Sequence, residues 1–230
     1  MNSSQILTDG VSDERAWRAS SIDDITAWYY PLSEDCLSSF TWVIRDAQRN
    51  SRPITEISHP DRSSNGCEGC LQPALDALNS GRGFAIVERV PIEQYQVEES
   101  LSMYWMIGQF LGIPMEQNIE GTLLYDVRDT GKNVAQGARF SVTNAESSFH
   151  NDNSFGELLP DLVGLLCLHT AKSGGQSQLI SGYALHNELL ENHPDVLKTL
   201  YQLFCFDRRG QFKAGESPTS QFPIFQWSRG

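Results

Sequence analysis

The run Leu162-Val163-Gly164-Leu165-Leu166-Cys167-Leu168, closing on His169, constrains the fold of this chain more than any other feature. It is far too short to cross a bilayer, and it lacks the polar residues with which a half-exposed strand alternates, so it reads as a strand buried on both faces. Such a strand needs partners beside it and cover above and below. The neighbouring sequence offers candidates. Thr122 to Arg128 (TLLYDVR) alternates into a turn at Asp129-Thr130-Gly131, Asn144 to Asp152 can run extended, and Gln178 to Ser181 makes a further short strand. Period two across 144–152 places Glu146, Ser148, His150 and Asp152 on one face.

Helical spacing is confined to the flanks of this strand-rich block. Ser33 to Asp35 supplies cap residues ahead of the cluster Phe40-Thr41-Trp42-Val43-Ile44, which reads as a helix. Leu71, Leu75 and Leu78 repeat at helical spacing and end at Ser80-Gly81, after which Gly83 to Val87 forms a short strand. Pro91 to Leu111 carries Tyr104, Ile107 and Leu111 on one stripe and stops at Gly112 and Pro114. Beyond the block, Tyr183 to Asn192 and Val196 to Phe204 read as helices separated by His193-Pro194, and Ile224 to Trp227 as strand-like. Residues 1–65, irregular and rich in Ser and Asp, read as an N-terminal extension ending in a loop; residues 66–230 hold the organised domain.

A formal net charge of −12 excludes a nucleic-acid protein, because phosphate binding needs a basic face. No apolar stretch approaches membrane-spanning length and no secretory leader opens the chain, so the expectation is a cytoplasmic protein with no membrane partner. Cys36, Cys67, Cys70, Cys167 and Cys205 are odd in number and scattered, which gives no disulfide framework. Cys67 and Cys70, with His59 upstream, have half the spacing of a zinc site and no second half; loop thiols are the simpler reading. Gly81-Arg82-Gly83-Phe84 lacks the Lys of a phosphate loop and the third Gly of a dinucleotide fingerprint, so it reads as a turn.

His150-Asn151-Asp152 is the sharpest chemical feature. Two positions apart on a strand, the imidazole and the carboxylate point to the same side and can grip one metal ion, a donor pair that suits ferrous iron with open coordination positions. Alone, a triplet of this kind is common on solvated surfaces.

The order of motifs around it resembles the TauD/TfdA family of iron(II)- and 2-oxoglutarate-dependent dioxygenases. The stretches that carry the resemblance are Gly81 to Phe84, Leu111 to Pro114, Leu124 to Asp129, Phe149 to Phe155, Pro160 to Leu168 and Ala171 to Ser177, so it covers roughly the last two-thirds of the chain. It implies an α+β fold, a double-stranded β-helix (jelly roll, clavaminate synthase-like) with flanking helices, here incomplete. It further implies that His150 and Asp152 are the first His and the carboxylate of the facial triad, serving as both catalytic and metal-binding residues. Ser177 matches the position whose hydroxyl helps hold the 2-oxoglutarate carboxylate. The implied cofactor is Fe(2+), with 2-oxoglutarate as cosubstrate and O2 as oxidant. Retention of Asp152 favours hydroxylation or desaturation of a small-molecule substrate over halogenation, and the Pro160 to Ser177 stretch hints at specialised metabolism.

The family's distal His ligand and the Arg that pairs with 2-oxoglutarate have no counterpart here. His169, His186, His193, Arg208, Arg209 and Arg229 do not occupy those positions. The expectation is therefore the amino-terminal portion of a longer enzyme, binding iron weakly and not turning over by itself, since a jelly roll cut halfway exposes strand edges and an apolar face. The alternatives are a shortened, silent descendant, or a non-catalytic jelly-roll module that binds a small ligand or partner. Substrate identity and oligomeric state are not legible.

Overall fold

In the computed structural model, residues 6–58, 66–87, 90–156 and 158–227 are described. Ser33 begins the first long helix, α1 (Glu34–Arg49), by accepting the Cys36 N–H on its hydroxyl at 3.1 Å. Glu34 and Asp35 in the first turn and Arg49 in the last complement the helix dipole. One face of α1 buries Cys36, Phe40, Val43, Ile44 and Ala47. Against it lies α3 (Val97–Leu111), through Met103, Met106, Ile107 and Phe110, and α2 (Glu68–Asn79) packs on α3 and adds Leu71 to the same core.

The α3 helix starts later than its apolar stripe suggests. Gln96 N–H donates to Glu99 Oε2 at 2.8 Å in a capping box, which sets the first turn, and residues 91–96 form the approach. Trp105 and Gln109 fasten the helix to the 50s segment, both donating to the Ile57 carbonyl, at 2.9 and 2.7 Å. Beside the helices, β1 (Tyr29–Tyr30) pairs parallel with β2 (Ile86–Val87), which keeps only the end of the strand expected over 83–87.

A second cluster is built from the two ends of the chain. The helices α4 (Gly182–Asn192) and α5 (Pro194–Leu200) are separated at His193 as expected, with Pro194 at a first-turn position where its missing N–H costs nothing. The helix expected to reach Phe204 stops at Leu200, and β3 (Phe204–Asp207) pairs antiparallel with β4 (Thr219–Phe222). Residues 11–18 lie across α4. Asn187 bonds the Val11 backbone in both directions at 2.8 and 2.7 Å, and Ser181 Oγ donates to the Arg15 carbonyl at 2.6 Å.

The strands expected over 122–128, 144–152, 162–169, 178–181 and 224–227 are not formed. Ladder pairing among the described residues is confined to the two two-stranded sheets, β1 with β2 and β3 with β4. A strand exists through its partner's hydrogen bonds, and these segments find none in register. The 122–128 segment comes nearest: Arg128 and Thr130 donate to the Ser141 and Val142 carbonyls, each at 3.0 Å. The 162–169 run has Leu162, Leu166 and Leu168 half-buried, but Val163 and Leu165 are 57% and 78% exposed. It is covered on one side only. Gly164 lies under Tyr104, where a Cβ would come within 2.9 Å of the phenol oxygen.

The cysteine expectation is corrected as well. Cys36 and Cys67 form a disulfide, buried completely, between the first turn of α1 and the start of α2. Their sequence separation of 31 conceals a contact that only helix packing creates. Cys67 is thereby no zinc ligand, Cys70 lies on α2 rather than in a loop, and His59 lies outside the described residues. Among the described residues no helix is long and apolar enough to cross a membrane.

Candidate metal centre

His150 and Asp152 converge without a strand behind them. The segment is irregular through Asn151, and a turn begins at Asp152 that Asn153 closes with φ +53°, in the left-handed region that Asn tolerates. Asn153 Nδ2 donates to the Leu158 carbonyl at 3.0 Å, and Ser220 Oγ of β4 donates to the Phe155 carbonyl at 2.7 Å. The turn is thus tied to the hairpin of the second cluster. Glu146 and Ser148 share no strand face with the pair, contrary to the period-two expectation.

The geometry of the pair is nonetheless that of a half-built ligand set. His150 Nδ1 lies 2.7 Å from the Ser148 carbonyl, an acceptor only, so the ring donates from Nδ1; Ser147 Oγ is 3.3 Å from the same nitrogen. Nε2 is then the lone-pair nitrogen, and it faces Asp152 Oδ1 at 3.3 Å. The two donor atoms face one another as adjacent ligands of one ion would. Holding Nδ1–H on a backbone carbonyl is also the usual way an imidazole is oriented for metal binding. Sequence reading missed this use of Ser147 and Ser148, which depends on a local bend that residue types do not reveal.

Both side chains are about half exposed, at 56% and 54%. Among the described residues no group of three or more His, Cys, Asp or Glu is placed to hold a metal ion. The pair fits two adjacent positions on one ion, with nitrogen and oxygen donors that suit ferrous iron. Ser177 is exposed in an irregular stretch after Gly174 and Gly175, whose φ values of +70° and +74° lie in the left-handed region that glycine adopts without penalty. No described contact joins it to His150 or Asp152. His186, by contrast, is buried within the second cluster, its Nε2 3.1 Å from Tyr201 Oη, and Arg208 pairs with Glu216 at 2.9 Å inside the β3–β4 hairpin.

A His-x-Asp pair is the kind of donor set that non-haem metal sites use, and the family of the chain is given by its likeness to known proteins. The sequence model of the family described as "Taurine catabolism dioxygenase TauD, TfdA family" matches residues 67–229, and the chain belongs to that family. FR-33289 synthase of Streptomyces rubellomurinus is 29% identical over 231 aligned positions, covering 98% of this chain and 66% of that protein. The taurine hydroxylase-like protein SAT17 of Stachybotrys chartarum is 37% identical over 138 residues, 56% of this chain and 34% of that protein. The chain thus spans less than two-thirds of either relative.

Proposed function

We propose that this chain is the amino-terminal portion of an Fe(II)- and 2-oxoglutarate-dependent dioxygenase that hydroxylates or desaturates a small organic substrate. The observation that carries the reading is the facing of His150 Nε2 and Asp152 Oδ1 at 3.3 Å, with Nδ1 tied to the Ser148 carbonyl. In this reading His150 and Asp152 supply two of the three protein donors. Ser177 contributes a hydroxyl to the 2-oxoglutarate carboxylate. When bound, the ferrous ion and 2-oxoglutarate would together supply the reductive activation of O2 that the protein cannot perform with its own side chains.

The chain's own contribution is positional. The Ser148 carbonyl keeps the imidazole in the tautomer that presents Nε2. The Asn153 turn and its Ser220 tether hold the Asp152 backbone. Asp152 would be a ligand where a halogenating site leaves room for halide, which favours oxygen insertion or desaturation in this reading. The remaining His donor and the Arg for the distal 2-oxoglutarate carboxylate would, in this reading, come from sequence outside these 230 residues. That same sequence would complete the β-helix that the family implies. The likeness to FR-33289 synthase of Streptomyces supports a role in specialised, antibiotic-type biosynthesis.

Anaerobic titration with Fe(II) and 2-oxoglutarate tests the reading, since bidentate 2-oxoglutarate on ferrous iron gives a weak visible charge-transfer band. The band is expected at high iron concentration, with His150→Ala or Asp152→Ala each weakening iron binding on the order of 100-fold, at least the loss seen for outer-shell partners. Unchanged iron affinity in both variants overturns it. No band at all favours the non-catalytic ligand-binding module.

A further inference from the structure

The disulfide between Cys36 and Cys67 has a third cysteine beside it. Both bonded cysteines are fully buried, whereas Cys70, a free thiol three residues after Cys67, is partly exposed in the first turn of α2. Cys70 Sγ lies 3.3 Å from the Cys67 carbonyl and 4.0 Å from Ser33 Oγ. The same Ser33 oxygen accepts the Cys36 N–H at 3.1 Å, and Ser39 Oγ lies 3.5 Å from Cys67 Sγ. All three sulfurs therefore sit at one junction between the starts of α1 and α2.

We propose that Cys67 and Cys70 form a thiol–disulfide exchange site through which small thiols reach the buried Cys36–Cys67 bond. In the first step the Cys70 thiolate attacks Cys67 Sγ, the Cys67–Cys70 bond forms, the Cys36–Cys67 bond breaks, and Cys36 leaves as thiolate. The proton lost by Cys70 is balanced by the one Cys36 takes up, and there is no net oxidation. The disulfide has then moved to a Cys-x-x-Cys pair with one partly exposed sulfur. A small thiol attacks Cys70 there, Cys67 leaves as thiolate, and a second molecule of the thiol resolves the mixed disulfide, giving the small disulfide and three free cysteines. A fully buried disulfide is otherwise shielded from such reductants, since exchange needs access to a sulfur.

Three local features bear on the first step. Cys67 caps α2 without a side-chain hydrogen bond, Gly69 has no neighbour within 4 Å of where a Cβ would stand, and Pro73 has no N–H for the Gly69 carbonyl. The side of the first turn that Gly69 presents is thus open space. Gly66 is the fixed point before it, at φ +66°, because a Cβ there would come within 2.8 Å of Asp35 Cβ. Exchange would release α1 from α2 while leaving their apolar contacts in place.

The test uses the full chain with Cys167→Ser and Cys205→Ser, which removes the two exposed thiols outside the junction. Native protein is treated with dithiothreitol, quenched with acid at intervals, alkylated and peptide-mapped. Cys36 is expected to become free while Cys67 and Cys70 are still linked, and Cys70→Ser or Cys70→Ala should slow Cys36 release at least tenfold. A destabilised variant would release Cys36 faster, so slowing has no trivial origin. Equal release rates with and without Cys70, or Cys36 and Cys67 always freed together, overturn the proposal.

Discussion

Residues 32–111 and residues 113–180 are both rich in large apolar side chains, yet they are used in opposite ways. Among the described residues, all the buried apolar ones except Leu197 and Tyr201 lie between Leu32 and Phe110. Ile113, Val127, Phe149, Leu158, Leu159, Val163, Leu165, Leu179 and Ile180 of the second stretch are exposed. A helix satisfies its own backbone and needs only one apolar face covered, which α1, α2 and α3 do for one another. Extended chain must borrow hydrogen bonds and cover from distant segments, and a stretch that lacks them keeps its apolar residues at the surface. The candidate metal centre lies in that second stretch, held by turns and by a tether to β4.

This contrast is most easily broken by truncating one side chain in each region. Phe110→Ala is expected to cost about 3–5 kcal/mol in urea unfolding, because Phe110 is 1% exposed at the meeting of the helices. Leu165→Ala, at 78% exposure, should stay within about 0.5 kcal/mol. Comparable losses would mean that the 162–169 run is buried in solution after all, as its sequence suggests.

Next in size is the covalent tie. Replacing both Cys36 and Cys67 by Ala frees a loop spanning a separation of 31 residues, for which chain entropy gives about 3–4 kcal/mol. Non-reducing urea titrations of the double variant check this value. A loss confined to α1 and α2 in hydrogen exchange, with the 113–180 stretch unaffected, would sharpen the division between the two regions.

How much of this was legible follows the same physics. The Ser33 cap, the Leu71–Leu75–Leu78 spacing and the His193-Pro194 break are local signals, and each corresponds to an observed helix boundary or body. Alternation at 122–128 and the apolar run at 162–169 report a preference for strand, but pairing is a property of two segments, and one segment cannot announce it. His150 and Asp152 were legible as a pair because two residues apart is close in almost any extended or turning backbone. The Cys36–Cys67 bond and the Asn187 grip on Val11, 176 residues away, were not, because both arise from tertiary packing.

A smaller effect isolates local from tertiary contributions within the helical region. Ser33→Ala removes the acceptor for the Cys36 N–H at the start of α1 and should cost about 1 kcal/mol in urea unfolding. Ser33→Asp keeps an acceptor and should recover most of it. A cost well above a single cap would show that the hydroxyl also supports the junction at Gly66 and Cys70, which it approaches at 3.3 and 4.0 Å.

The smallest expected effect concerns the cluster formed by the chain's two ends. Burial holds His186 below the ordinary imidazole range, with Nε2 on Tyr201 Oη at 3.1 Å, Nδ1 lacking a protein partner among the described residues, and Phe225 edge-on at 5.5 Å. The unfolded chain therefore binds a proton at this site first as pH falls through about 6.5. Its stabilising contribution is complete above that pH and is lost as pH falls through the lower folded value. The charges near α4, Arg18 with Glu188 and Arg15 over Tyr183, are exposed and common to any variant at 186. From pH 7.5 to 5.5, the protection factors of α4 amides, after correction for the pH dependence of intrinsic exchange, should fall more steeply in the wild-type chain than in His186→Gln, while those of α3 respond alike in both. Parallel profiles in α4 would mean that water reaches His186, and the second cluster would then be a looser structure than the helical core in the one place where it is closed.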